Sequence, residues 1–136
     1  MGQRLILDSA ILIEVERGRL RMDAVLAEED DVVIAAITIA EYATGVALAD
    51  TPAKRASRAA FLHELLQVTP VEDYTEVVAE QHAMLLGHVH RSGRPRGAHD
   101  LIIAATALAT DRILVTTDAR ARFGELPNVA ARLVTP

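Results

Sequence analysis

Residues 94–118, RPRGAHDLIIAATALATDRILVTTD, are the stretch whose reading decides the fold. It opens on a basic, helix-breaking loop, turns almost wholly apolar after Asp100, and closes on a β-rich run ending at Asp118. Leu101, Ile102, Ile103, Ala104, Ala105, Ala107, Leu108 and Ala109 leave almost no solvent face, which predicts a helix buried all round. Ile113 to Thr117 reads as a central strand following that helix. A carboxylate in the first turn of such a helix lies partly inside the protein. The helix amides and dipole stabilise its charge, by about 0.3 to 1 kcal/mol at an exposed site.

Working outward, the same order recurs upstream. Arg4 to Leu7 is a short apolar run closed by Asp8, followed by Ile11, Leu12 and Val15 at helical spacing, with Gly18 as the stop. Arg21 to Glu29 reads as a short helix before a strand at Val32 to Ala36. Thr38-Ile39-Ala40-Glu41 has the T-x-x-E form of a capping box and predicts a helix from there to about Leu48. A third helix fits Pro52 to Leu66, with Phe61, Leu65 and Leu66 on its packed side.

Further along, Gln67 to Val71 reads as an edge strand, because Pro70 lacks a ladder donor. Glu72 to about His90 reads as a long helix with Val77, Val78, Met84, Leu85 and Val89 in the core. A turn around Arg120 to Phe123 and a strand near Val129 to Val134 complete the chain. Strands separated by helices predict a three-layer α/β/α domain around a mainly parallel sheet, one unit over residues 1–136 without repeat or linker.

Composition narrows the function. Hydrophobic residues make up 51% of the 136, enough for a proper core. Aromatics at 3% and no Trp argue against a platform for stacking bases. The absence of cysteine excludes disulfides, thiolate zinc sites and thiol nucleophiles. No stretch has the length of a membrane-spanning helix and no signal peptide is visible, so a cytoplasmic protein is expected. A net charge of -5 argues against attachment to nucleic acid by bulk electrostatics, while leaving room for a local basic rim.

Asp8, Asp100 and Asp118 each fall at a strand–helix junction or helix entrance, and Glu41 falls in a predicted first turn. In a parallel α/β fold these places gather at the carboxyl edge of the sheet, where ligands bind. Carboxylates brought together repel one another and take up protons unless a cation neutralises them. Hard oxygen donors without His-rich or Cys-rich spacing favour magnesium or manganese over zinc. A structural reading stands beside each: Asp8 as helix cap, Glu41 as the capping-box acid, Asp118 as an Asx turn.

The remaining polar residues are weaker signals. Ser9, Thr116 and Thr117 fit local caps or supports of a ligating carboxylate. His82, His88, His90 and His99 form no zinc motif, and Arg91, Arg94 and Arg96 fit a solvated loop or a phosphate contact. Glu14 fits an exposed charge or a carboxylate leaning toward Asp8, and Lys54, Arg55 and Arg58 fit a solvated helix face or a match for acidic RNA or for a partner's carboxylates.

Four segments together resemble the PIN-domain ribonucleases, in particular the VapC-type toxins of bacterial toxin–antitoxin pairs. They are LILDSAILIEVERGR from Leu5, AAITIAEYATGV from Ala35, RPRGAHDLIIAATAL from Arg94 and ILVTTDARARFGELPNV from Ile113, in the family's order across nearly the whole chain. The resemblance implies that Asp8, Glu41, Asp100 and Asp118 are the catalytic acids and hold magnesium, for which manganese substitutes. It further implies cleavage of RNA, a homodimer, and a small cognate antitoxin that blocks the cleft with a basic side chain. Two departures stand out: Ala10 where a second hydroxyl commonly follows the first acid, and Arg122 before Phe123 where many relatives carry an acid. The alternatives are another metal-dependent nuclease or phosphoester hydrolase, and a non-catalytic PIN-like scaffold that binds RNA or a partner.

Overall fold

The computed structural model describes residues Met1–Pro136. Five strands, β1 (Arg4–Leu7), β2 (Asp31–Ala35), β3 (Val71–Glu72), β4 (Ile113–Thr116) and β5 (Ala131–Leu133), form one sheet in the order β3-β2-β1-β4-β5. Every neighbouring pair is parallel, with Ile6 opposite Val33 on one side and Leu114 on the other. Six α-helices accompany it: α1 (Ser9–Glu16), α2 (Met22–Val25), α3 (Ala36–Ala47), α4 (Pro52–Val68), α5 (Glu76–Ser92) and α6 (Ala98–Ala109).

The central strands are apolar on both faces because both faces are covered, as parallel sheets require. Ile6, Val33 and Leu114 point into one core with Val78 and Leu85 of α5 and Leu101, Ile103, Ala104 and Ala107 of α6. Leu5, Leu7, Ile34 and Val115 point the opposite way, against Ile11 and Leu12 of α1 and Tyr42 of α3, with Phe61 and Leu65 of α4 packed alongside. The three-layer α/β/α expectation therefore holds, and α6 is the buried helix that its composition predicts.

Several boundaries move. The expected capping box does not form: β2 passes directly into α3 through Ala35, with no side-chain cap. Thr38 is consequently inside the helix and fully buried, and Glu41 sits in the second turn. The helix expected over Arg21 to Glu29 contracts to α2, because Asp30 holds a turn by accepting from the amides of Ala27 and Gln3. Likewise α4 runs on to Val68, and the edge strand shrinks to β3, with the Pro70 carbonyl accepting from the Ile34 amide. Finally, α5 starts at Glu76 with Thr75 as its cap, which turns Val78 and Leu85 inward and leaves Val77 52% exposed.

Candidate functional site

The strand order reverses direction at β1: the chain steps outward to β2 and β3, then returns to β4 on the other flank. The connections on the two sides of such a point diverge and leave a crevice at the strands' carboxyl ends. Asp8 follows β1 directly and its amide donates to the Val115 carbonyl, pinning it beside the end of β4. Asp118 stands two residues beyond β4.

Asp8 is 5% exposed. Its Oδ1 accepts from the Ser9 amide at 2.9 Å as the cap of α1, and its Oδ2 accepts from the Thr116 hydroxyl at 2.8 Å. Burial pushes its pKa up to about 6, the Thr116 bond opposes that rise, and the charges of Glu41 and Asp100 add to it. Thus the capping and site readings of Asp8 are compatible: one oxygen caps while the carboxylate as a whole belongs to a cluster of acids.

Asp100 is half-buried in the first turn of α6. Burial raises its pKa, as do the neighbouring charges of Asp118 and Glu41, against the opposing His99 and Arg96. Its Oδ2 lies 2.9 Å from where a Cβ on Gly97 would stand, so a larger residue there would push the Asp100 carboxylate aside. Asp118 is exposed and caps a short 3-10 turn over Ala119–Ala121, accepting from the amides of Arg120 at 2.9 Å and Ala121 at 3.3 Å. Glu41 reaches the cluster from α3, and its Oε2 lies 3.5 Å from His99 Nδ1.

Asp8 is thus raised by the charges of Glu41 and Asp100, and Asp100 by those of Asp118 and Glu41. No three Asp, Glu, His or Cys side chains stand close enough to cage an ion as they are. The donor set nonetheless suits a hard divalent cation: carboxylate oxygens, no thiol in the chain, and proton affinities raised in the way an added positive charge relieves.

The motif spacing alone does not show how these acids are held. Of the two roles that fit Thr116 by sequence, local cap or support of a carboxylate, the second is the one found: it donates to Asp8, just past the end of β1, while its oxygen accepts from the Asp118 amide at 3.0 Å. Arg96, which fits a solvated or phosphate-facing loop, turns inward and donates to the carbonyls of Ala121 and Arg122, the latter at 2.8 Å. It thereby ties the loop before Asp100 to the loop after Asp118. Arg122 has a left-handed backbone, φ 49 and ψ 46, an uncommon conformation for a residue with a side chain. Glu14 does not lean toward Asp8; both its oxygens pair with Arg19 at 2.7 Å.

The PIN domain family model matches residues 5–128. Ribonuclease VapC5 of Mycobacterium tuberculosis is 34% identical over 115 residues, 83% of this chain and 82% of that protein. Among solved structures, VapBC-5 from M. tuberculosis superposes with a TM-score of 0.78 at 26% identity, covering 99% of this chain and 100% of that one. VapBC2 from Rickettsia felis, solved bound to a DNA fragment from its promoter, superposes with a TM-score of 0.86 over 98% of this chain and 100% of that one. At 21% identity this last match speaks for the fold alone. By the extent of the domain match and the identity with a curated ribonuclease, the chain belongs to the PIN-domain family and stands among its VapC-type members.

Proposed function

We propose that this chain is a magnesium-dependent endoribonuclease acting as the toxin of a toxin–antitoxin pair, with Asp8, Glu41, Asp100 and Asp118 as its catalytic acids. The observation that carries the reading is Asp8: a carboxylate 5% exposed at the strand-order reversal, its pKa pushed up to about 6 by burial, with Glu41 and Asp100 adding to the rise. A purely structural cap has no need of a second and third acid at its side.

Asp8, Asp100 and Asp118 would hold the cation, with Glu41 supporting it, and manganese would substitute. The bound ion supplies Lewis-acid polarisation of a phosphate oxygen and a water of lowered pKa. The protein's own part is positioning. Thr116 fixes the Asp8 carboxylate, Arg96 fixes the loop that carries Asp118, and His99 stands beside Glu41 at the rim. The expected partners are an RNA substrate, a second copy of the chain and a cognate antitoxin. Relatives bearing the VapBC name were solved as members of toxin–antitoxin systems, and an acidic crevice suits an inserted basic side chain.

The test is a cleavage panel of structured RNA, DNA flaps and a simple phosphomonoester with and without magnesium, run beside a magnesium titration of thermal stability. The reading predicts RNA cleavage alone and a melting temperature that rises with magnesium, because a ligand selective for the folded state stabilises it. Cleavage of flaps or phosphomonoesters in preference to RNA, or a melting temperature indifferent to magnesium, contradicts it.

A further inference from the structure

Beside Glu41 a cleft opens between α1, α3 and α4, lined by Ile13, Glu16, Arg17, Tyr42, Gly45 and Arg58. It continues into a shallower groove that shares Glu16, Arg17 and Arg58 and adds Arg19, Lys54 and Ser57. In a chain of net charge -5, four cations follow this one path away from the acid cluster.

Their commitments differ. Arg19 is paired with Glu14 and Lys54 with Asp50. Arg17 enters no ion pair of the fold, and Arg58 makes one hydrogen bond, from Nη1 to the Gly45 carbonyl at 3.2 Å. Two guanidinium groups, one just past the end of α1 and one on α4, thus keep most of their donors free at the cleft, in the fork geometry that suits phosphate oxygens.

Tyr42 supplies a second, independent observation. It is 5% exposed and its hydroxyl has no hydrogen-bond partner, an uncommon condition for a buried polar group. The charges that act on that hydroxyl are Glu16, Arg58 and Arg17, the same side chains that line the cleft, so it belongs to the cleft floor. Gly45 leaves the wall open: a Cβ there would meet nothing within 4 Å, although glycine weakens a helix interior. Packing therefore does not demand this glycine, whereas a bound group beside it uses the space.

Glu16 and Glu41 also face the cleft, which disfavours an isolated anion and favours a polyanion anchored at the neighbouring acid site as well. We propose that this cleft is a backbone-phosphate subsite for single-stranded RNA flanking the scissile bond, with Arg17 and Arg58 as the phosphate ligands and the Tyr42 hydroxyl at its floor. The inference rests on the nuclease reading above and names where that substrate runs. An acidic peptide offers similar oxygens, but the direct continuity of the cleft with Glu41 favours the strand being cut.

The test measures binding rather than turnover. Full-length Asp100→Asn protein is titrated with a labelled single-stranded RNA over a range of salt concentrations, alone and combined with Arg17→Gln, Arg58→Gln or Gly45→Leu. Each arginine substitution is expected to flatten the dependence of log affinity on log salt by about 0.7, and so to weaken binding about fivefold near 0.1 M salt. Gly45→Leu should weaken binding with all charges in place, and Arg21→Gln, on an exposed pair with Asp23, should change nothing. Thermal melts confirm that each variant is folded, and Arg58→Lys should keep the slope. Unchanged affinity and slope in both arginine variants overturn the proposal. So does an acidic peptide of equal charge that binds as tightly with the same dependence on Arg17 and Arg58, since the cleft is then a protein-docking site. If wild-type protein cleaves no RNA but the arginine variants still flatten the slope, the subsite stands and the nuclease reading falls.

Discussion

The Thr116 hydroxyl donates to Asp8 Oδ2 at 2.8 Å across the gap between β4 and β1, and its oxygen receives the Asp118 amide at 3.0 Å. One buried side chain therefore sets the orientation of the first acid and the position of the last. Such contacts around ligating carboxylates typically govern metal affinity or activity by about 10- to 100-fold. Thr116→Val should lower magnesium-dependent RNA cleavage by about that amount. Its loss also removes the bond that opposes protonation of Asp8, so the acid side of the pH–rate profile should move to higher pH. Thr116→Ser should restore both, whereas a Val variant with the wild-type profile removes Thr116 from this role.

Asp8 carries a folding cost that its removal should reveal. Its pKa rises from 3.8 to about 6 on folding, so the folded state holds a proton that the unfolded chain releases. The contribution of Asp8 to stability is therefore most favourable below the ordinary carboxylate range and is lost as pH rises through about 6. Metal-free Asp8→Asn should be about 2 kcal/mol more stable than the parent near pH 7, a value below the full conversion of the shift because Asn replaces rather than empties the site. The difference should vanish near pH 3. Denaturant unfolding at the two pH values checks this, and a variant less stable than the parent at pH 7 contradicts it.

Arg96 fastens the two acid-bearing loops together through the Ala121 and Arg122 carbonyls. Arg96→Met should lower the global melting temperature only slightly, because the clamp joins two loops rather than the helices and strands of the core. It should speed amide exchange at residues 121–126, where Glu125 and Leu126 bond back to Arg122 and Phe123. Cleavage should fall about tenfold. Unaltered exchange in that segment rules out the clamp.

The fold was legible where pattern and burial coincide. The apolar run after Asp100 could only be a helix covered on every side, and the strand–acid–helix order around Asp8 placed that residue at the sheet's carboxyl edge. Local signals misled where tertiary connection overrode them. Thr38 and Glu41 have capping-box spacing, yet the strand before them runs straight into the helix, leaving no free terminus there to cap. Asp8, Asp100 and Asp118 stood out because each opens or closes an element, whereas Glu41 stood out through a capping box that does not form and lies in the second turn of α3. The contacts around them were only partly legible: Thr116 fits either a local cap or a carboxylate support and meets Asp8 from the far end of the chain, Arg58 fits a solvated face or a match for RNA, and Arg96 meets carbonyls that have no sequence signature.

The central claim is that one cluster of carboxylates cuts RNA with magnesium. The most direct measurement is cleavage of a mixed cellular RNA pool by antitoxin-free protein with and without magnesium, compared with Asp100→Asn at matched folding. The account predicts magnesium-dependent cleavage that falls by more than the ~10- to 100-fold typical of supporting residues when Asp100 is changed. Equal cleavage by the two proteins removes Asp100 from the site, and equal inertness despite native folding and bound metal moves the chain to another substrate or to a binding role.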